Sequence, residues 1–99
     1  MSTEVPRAIL LDEKDNVATA IADLKAGNMI TVNRQNGAVE VSLTQDIPLG
    51  HKFALKDIRK GGDIVKYGEI IGRAKNRLHR GEHAHVHNVE GLRGRGDRT

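Results

Sequence analysis

This 99-residue sequence has no cysteine and no tryptophan. Without cysteine there are no disulfides, no thiolate metal sites and no cysteine nucleophile, which fits a reducing compartment. Phe53 and Tyr67 are its only aromatics, so a core must be built from Ile, Val, Leu and Ala. Such a core is thin in a chain of this size and leaves little room for an internal ligand cavity. A site is therefore expected at the surface or shared with a partner. No apolar run approaches the ~20 residues of a membrane span. The segment Met1 to Arg7 lacks the apolar stretch of a signal peptide. A soluble, cytoplasmic protein with no membrane partner is the expectation.

Sixteen basic residues against thirteen acidic ones give a formal net charge of +3. The excess gathers at the end, where Arg93, Arg95 and Arg98 are opposed only by Asp97. A basic tail can meet nucleic acid or an acidic surface. With no aromatic stacking platform and no known nucleic-acid motif, no nucleic-acid partner is expected. The glycine-rich run Gly91 to Asp97 lacks a phosphate-loop pattern and reads as a linker or docking tail.

The pattern of short apolar runs predicts a mostly β domain with one short helix. Ala8 to Leu11 reads as a strand. Val17, Ala20, Ile21 and Leu24 fall at helical spacing behind Asp15 or Asn16 as a cap, with Gly27 as a stop, so a helix is expected near residues 15 to 26. Met29 to Arg34 and Ala38 to Leu43 read as strands of a hairpin turning at Asn36-Gly37. Ile47-Pro48-Leu49-Gly50 is a loop or edge segment, because proline cannot donate to a central ladder. Two later units echo one another: Ile58-Arg59-Lys60-Gly61 precedes a strand-like run to Tyr67, and Leu78-His79-Arg80-Gly81 precedes His83 to His87. The division expected is an N-terminal segment over 1–11, a β domain over 12–88 and a Gly/Arg-rich tail over 89–99.

Gly81-Glu82-His83-Ala84-His85-Val86-His87-Asn88 is the most informative stretch. In a strand, His83, His85 and His87 share one face, with Ala84 and Val86 on the other. Imidazoles so placed can hold a transition ion, bind a carboxylate or move a proton. They can also be the solvated face of an edge strand. Gly50-His51-Lys52 offers a titratable group and a cation, of which alternation turns at most one toward the histidines. Lys66-Tyr67 is either an acid/base pair or anion clamp, or a core tyrosine beside a solvated lysine.

These motifs carry a resemblance. The run Ile47 to Leu55, then Asp57-Ile58, Val65-Lys66-Tyr67-Gly68, Ile71-Gly72 and Gly81 to Asn88 is similar to the N-terminal or small-subunit domain of altronate and galactarate dehydratases. It also resembles the small subunit of sulfolactate sulfo-lyase. Asp15 to Ala20 matches the same pattern upstream, so the resemblance runs from about residue 12 to 97. Ala84 is smaller than the valine or leucine common at that place.

The resemblance implies a compact SAF-type β-clip. It implies a lyase subunit removing water from a sugar acid, or sulfite from sulfolactate, together with a large catalytic subunit. A divalent metal, iron(II) or manganese, is implied for the assembled enzyme. The partners expected are that subunit and a small hydroxy acid; a homo-oligomer is compatible with it. The roles carried over are catalytic for His85, His87 and Lys66, substrate-binding for His51, Lys52 and Asn88, and metal-ligating for His83, His85 and His87. The competing expectation is a stand-alone binding module for a small acid or a protein, without catalysis.

Overall fold

The computed structural model describes residues 7–35 and 37–91. Nine short strands make three antiparallel sheets. β1 (Ala8–Ile9), β2 (Val17–Ala20), β5 (Lys52–Ala54) and β8 (His83–Ala84) form the largest, in that order. β3 (Met29–Val32) pairs with β4 (Val39–Ser42). β6 (Asp63–Lys66), β7 (Glu69–Ala74) and β9 (Val89–Gly91) form the third, with a register shift in β6 between Ile64 and Val65. This is the compact, mostly β architecture expected of a β-clip.

The expected helix is absent among the described residues: Val17–Ala20 is a strand. The physical reason lies in its burial. β2 and β5 stand between two apolar clusters. Val17 and Ala54 face Ile58, Ile64, Ala74, Leu78 and Ala84. Ala18, Ala20 and Phe53 face Leu24, Ile30, Val32, Val41, Leu43 and Ile47. A strand covered on both faces loses its polar/apolar alternation, so Val17, Ala20, Ile21 and Leu24 imitate a helical stripe. Asp15 caps a turn instead of a helix. It is 4% exposed, and its carboxylate accepts the N–H groups of Tyr67 at 3.1 Å and Gly68 at 2.8 Å. Those two residues form the β6–β7 turn with φ of 60° and 74°, the left-handed pair that a two-residue hairpin favours. Tyr67 is consequently 63% exposed, and the reading of it as core is corrected.

The echo noticed in two units is present four times among the described residues. Leu24-Lys25-Ala26-Gly27 and Ile47-Pro48-Leu49-Gly50 join the later pair. Leu24 bridges Ile47, and Ile58 bridges Leu78, each by reciprocal backbone hydrogen bonds of 2.8–2.9 Å. The four closing glycines have φ between 80° and 89°. Each donates its N–H at 2.8 Å, to Leu43, Ala20, Ala74 and Ala54 in chain order. Aspartates lock the units: Asp23 accepts from Leu49 N–H, Asp46 from Ala26 N–H and Asp57 from Arg80 N–H. Gly81 is the tightest of the four, because a Cβ there would run into the Ser42 carbonyl. That close approach brings the start of β8 against the chain after β4.

Two further differences concern segment ends. The β3–β4 strands close at Val32 opposite Val39, so their connection spans 33–38 and is longer than a tight Asn-Gly turn; Asn36 lies outside the described residues. Glu13 holds this loop through Gln35 N–H at 2.7 Å and Arg34. Val89–Gly91, read as the start of a tail, pairs with β7 as β9; residues 92–99 lie outside the described residues. Among the described residues no helix is long and apolar enough to cross a membrane.

Candidate functional site

The histidines meet at the outer edge of the large sheet. β8 pairs with β5, setting His83 opposite Phe53 and Ala84 opposite Lys52. The strand ends there. His85 to Asn88 form a turn in which the His85 carbonyl accepts the N–H groups of both Asn88 and Val89 at 2.9 Å. The expected five-residue strand is thus corrected to two residues. Ala84 is buried as expected, but Val86 is 72% exposed rather than packed beneath the histidines.

Side chains hold the edge in place of a further strand. Asn88 is 4% exposed. Its Oδ1 accepts from His85 N–H at 2.9 Å, and its Nδ2 donates to the His83 carbonyl at 2.7 Å. Gln45 Oε1 accepts from His83 N–H at 2.9 Å. The outward backbone groups of His83 are therefore satisfied, which blunts an edge that could otherwise pair with another chain. Asn88, expected to bind substrate, is placed as a brace for two of the histidines. Gln45 was missed by sequence reasoning; it lies 38 residues from His83, and no local signal marks it.

His51 completes the cluster. It follows Gly50, whose turn brings it to the start of β5. Its ring stacks on His85 with centroids 3.9 Å apart and planes at 14°, and on His83 at 5.0 Å and 18°. His51 Nδ1 and His83 Nε2 are 2.8 Å apart, so one carries the proton and the other accepts it. The nitrogens of His51, His83 and His85 lie within 4.8 Å of one another. His87 is exposed, tilted 41° to His83 at 5.1 Å, and stands outside this group. Of the expected ligands His83, His85 and His87, the first two come together with His51 in a group that could hold an ion, whereas the turn after Ala84 sets His87 outside it.

Burial first, and then the neighbouring imidazoles and Lys52, hold His83 and His85 below the ordinary histidine value. Both therefore favour the neutral form, the one that can bind a metal or take up a proton. The Nδ1 of His85 is buried and has no partner among the described residues. Buried polar atoms are seldom left so. An orphan nitrogen beside two converging imidazoles fits a divalent ion, and it fits a substrate hydroxyl equally well.

Lys52 lies beside this cluster. It lines a cleft of about 190 Å³ with Ile71, His85, Val86, Val89 and Gly91. Burial, then the charge of Lys66, pushes its amine below the ordinary lysine value. His51 and Lys52 thus both border the histidines, against the expectation that alternation admits one. Lys66 is half-buried at the end of β6, with its ammonium 5.1 Å from the Tyr67 ring centroid.

Comparison with known proteins agrees with this architecture. The altronate/galactarate dehydratase SAF domain profile matches residues 6–92. The chain belongs to that family. It is 49% identical over 75 residues to altronate dehydratase of Escherichia coli, covering 76% of this chain but 14% of that enzyme. It is 34% identical over 85 residues to (2R)-sulfolactate sulfo-lyase subunit alpha of Chromohalobacter salexigens, covering 83% of this chain and 90% of that subunit. The corresponding subunit of Paracoccus pantotrophus is 36% identical over 62 residues, or 92% of its length. The chain thus corresponds to a small part of the dehydratase and to nearly all of the sulfo-lyase subunits.

Proposed function

We propose that this chain is the small subunit of a two-component cytoplasmic lyase acting on a hydroxy acid. It would eliminate water from an altronate- or galactarate-type sugar acid, or sulfite from sulfolactate. The observation that carries this reading is the stacked His51–His83–His85 cluster with its unpartnered Nδ1. Its place on a domain that matches nearly the whole of a lyase subunit supports the division of labour.

β-Elimination removes a proton from the carbon next to the carboxylate. The electron pair forms the C=C bond as the neighbouring C–O or C–S bond breaks, and the leaving group departs as water after protonation, or as sulfite. His85, neutral through burial, accepts that proton at the Nδ1 left free. The His51–His83 pair passes a proton along its 2.8 Å contact. His87, exposed beside His83, exchanges it with solvent. Lys66 adds positive charge near the developing carboxylate-stabilised anion. In the alternative in which His51, His83 and His85 hold a divalent ion, their nitrogens would serve as ligands in place of the proton relay, and the ion would supply Lewis-acid polarisation of the departing hydroxyl. The large subunit contributes the remaining substrate contacts, since the cleft on this chain is small.

The test is reconstitution. The purified chain alone should give no measurable turnover of altronate, galactarate or sulfolactate. Combined with a large subunit of the family, it should turn over one of them. Robust turnover by the chain alone would overturn the subunit reading. An inert complex would favour the stand-alone binding module.

A further inference from the structure

The four turns built alike differ in how their backbone donors are met. In the Leu24 turn, Lys25 N–H donates to Asn28 Oδ1 at 3.0 Å and Ala26 N–H to Asp46 at 2.9 Å. In the Leu78 turn, His79 N–H donates to Glu82 and Arg80 N–H to Asp57, both at 2.8 Å. In the Ile47 turn, Pro48 has no N–H, and Leu49 N–H donates to Asp23 at 2.9 Å. The Ile58 turn stands apart. Gly62 occupies the place of Asn28 and Glu82, and Arg77 occupies the place of Asp23, Asp46 and Asp57. Neither can accept a hydrogen bond through a side chain. Among the described residues nothing accepts the N–H of Arg59 or of Lys60. A side chain at 62 could not enter without a shift, because its Cβ would lie 2.9 Å from the Arg59 carbonyl oxygen.

Successive N–H groups in a turn form a concavity that suits an anion, and here they precede Gly61 with its φ of 80°. The surrounding charge has the matching sign. Arg59 and Lys60 are exposed, and the exposed Arg77 precedes Leu78, the residue that bridges Ile58. The nearby acids are engaged elsewhere: Asp57 by the Arg77 guanidinium at 3.2 Å and by Arg80 N–H, and Asp63 by Arg73 at 4.0 Å. The same fold shows what two adjacent turn donors take. The Asp15 carboxylate spans the N–H groups of Tyr67 and Gly68, one to each oxygen.

We propose that the Ile58 turn is a docking point for an acidic segment of a partner protein, with one aspartate or glutamate carboxylate bridging the N–H groups of Arg59 and Lys60 beside Arg77. A carboxylate is favoured because it is the group that fills both slots of the facing Leu78 turn. A protein-borne acid is favoured over a free one because the turn is exposed. A lone anion there meets charges that solvent and salt screen, whereas an acidic segment engages the side chains of Arg59 and Lys60 as well. Nucleic acid is disfavoured, since neither the Ile58 nor the Leu78 turn contains Phe, Tyr or Trp on which a base could stack. The assignment uses none of the residues given a part in elimination, so it stands or falls separately from the lyase reading.

The test follows backbone amide signals by NMR as the full chain is titrated with an N-acetylated hexaglutamate peptide at neutral pH. Hexaglutamate should move the Arg59 and Lys60 amides downfield and saturably, and further than the already bonded amides of Lys25, Ala26, His79 and Arg80. Hexaglutamine should not move them. Arg77→Asp supplies the missing acceptor from within the chain. It should shift the Lys60 amide downfield without peptide, keep the melting temperature, and weaken peptide binding by about tenfold or more, the scale of one charge-assisted hydrogen bond. Arg77→Gln, which removes the cation and adds no carboxylate, should weaken binding less and leave the free Lys60 amide in place. Unmoved Arg59 and Lys60 amides at saturation, an equal response to hexaglutamine, or unchanged binding in a folded Arg77→Asp chain would each overturn the docking point. So would tighter binding of inorganic phosphate or of a single-stranded oligothymidylate than of hexaglutamate.

Discussion

At the scale of single residues, one buried amide governs the candidate site. Asn88 satisfies an N–H and a carbonyl on the two histidines whose rings must converge. Replacing it with Ala leaves His85 N–H and the His83 carbonyl without their partner. An unmet buried group costs about 1–3 kcal/mol, so Asn88→Ala should lower the melting temperature measurably. Divalent-ion affinity should fall by about 10–100-fold, as it does when a supporting hydrogen bond behind metal-binding residues is lost. The check is a thermal melt beside a Co(II) or Zn(II) titration. Retained affinity in Asn88→Ala would separate the brace from the site.

The same residue marks how far the sequence could be read. The spacing of His83, His85 and His87 pointed to a cluster, and two of those rings are in it. The third place belongs to His51, because the stack is closed by a contact across 32 residues. Alternation describes one strand and carries no information about which distant loop folds over it. Gln45 was illegible for the same reason.

At the scale of elements, four turns built alike do most of the organising. Two were legible, since Ile58 to Gly61 and Leu78 to Gly81 are each followed by an obvious β run. The other two were hidden. Leu24 stood within an apparent helical stripe, and Ile47 preceded a proline that argued against a ladder. Burial on both faces of β2 erased the period of two on which a strand assignment depends. The β3–β4 hairpin was easier, because Gly37 stands where the chain must turn with positive φ.

The Asp57 lock gives its turn a pH dependence with a definite sign. Arg80 N–H, then the Arg77 guanidinium, holds the Asp57 carboxyl below its ordinary value of 3.8. The folded chain thus binds fewer protons than the unfolded chain in that range. The stabilisation is fully present above about pH 3.8 and is lost as pH falls through the lowered folded value. A melt series from pH 7 to pH 3 should decline in the wild type. Asp57→Asn should start lower at pH 7 and lose less on acidification. A parallel decline in both proteins would remove Asp57 from the acid response.

At the scale of the whole molecule, the two apolar clusters share β2 and β5, so the fold is a thin scaffold with its reactive groups on one sheet edge. Such a scaffold can position imidazoles without enclosing a substrate, which is the property a subunit needs and a self-sufficient enzyme lacks. The match to nearly the full length of sulfo-lyase alpha subunits, against 14% of altronate dehydratase, fits one design used either as a separate chain or as part of a larger one.

The most direct test of the account compares wild type and His85→Ala in the reconstituted complex, by steady-state turnover beside thermal melts of the small chain. His85 carries the unpartnered nitrogen assigned to proton transfer, and that Nδ1 makes no hydrogen bond within the described residues. Turnover should drop by about two orders of magnitude or more, the usual scale for a lost general base. The melting temperature should move by less than about 8 °C, corresponding to about 1 kcal/mol in a chain of this size. Wild-type turnover in His85→Ala, or a collapsed melt that accounts for the lost activity, would contradict the assignment.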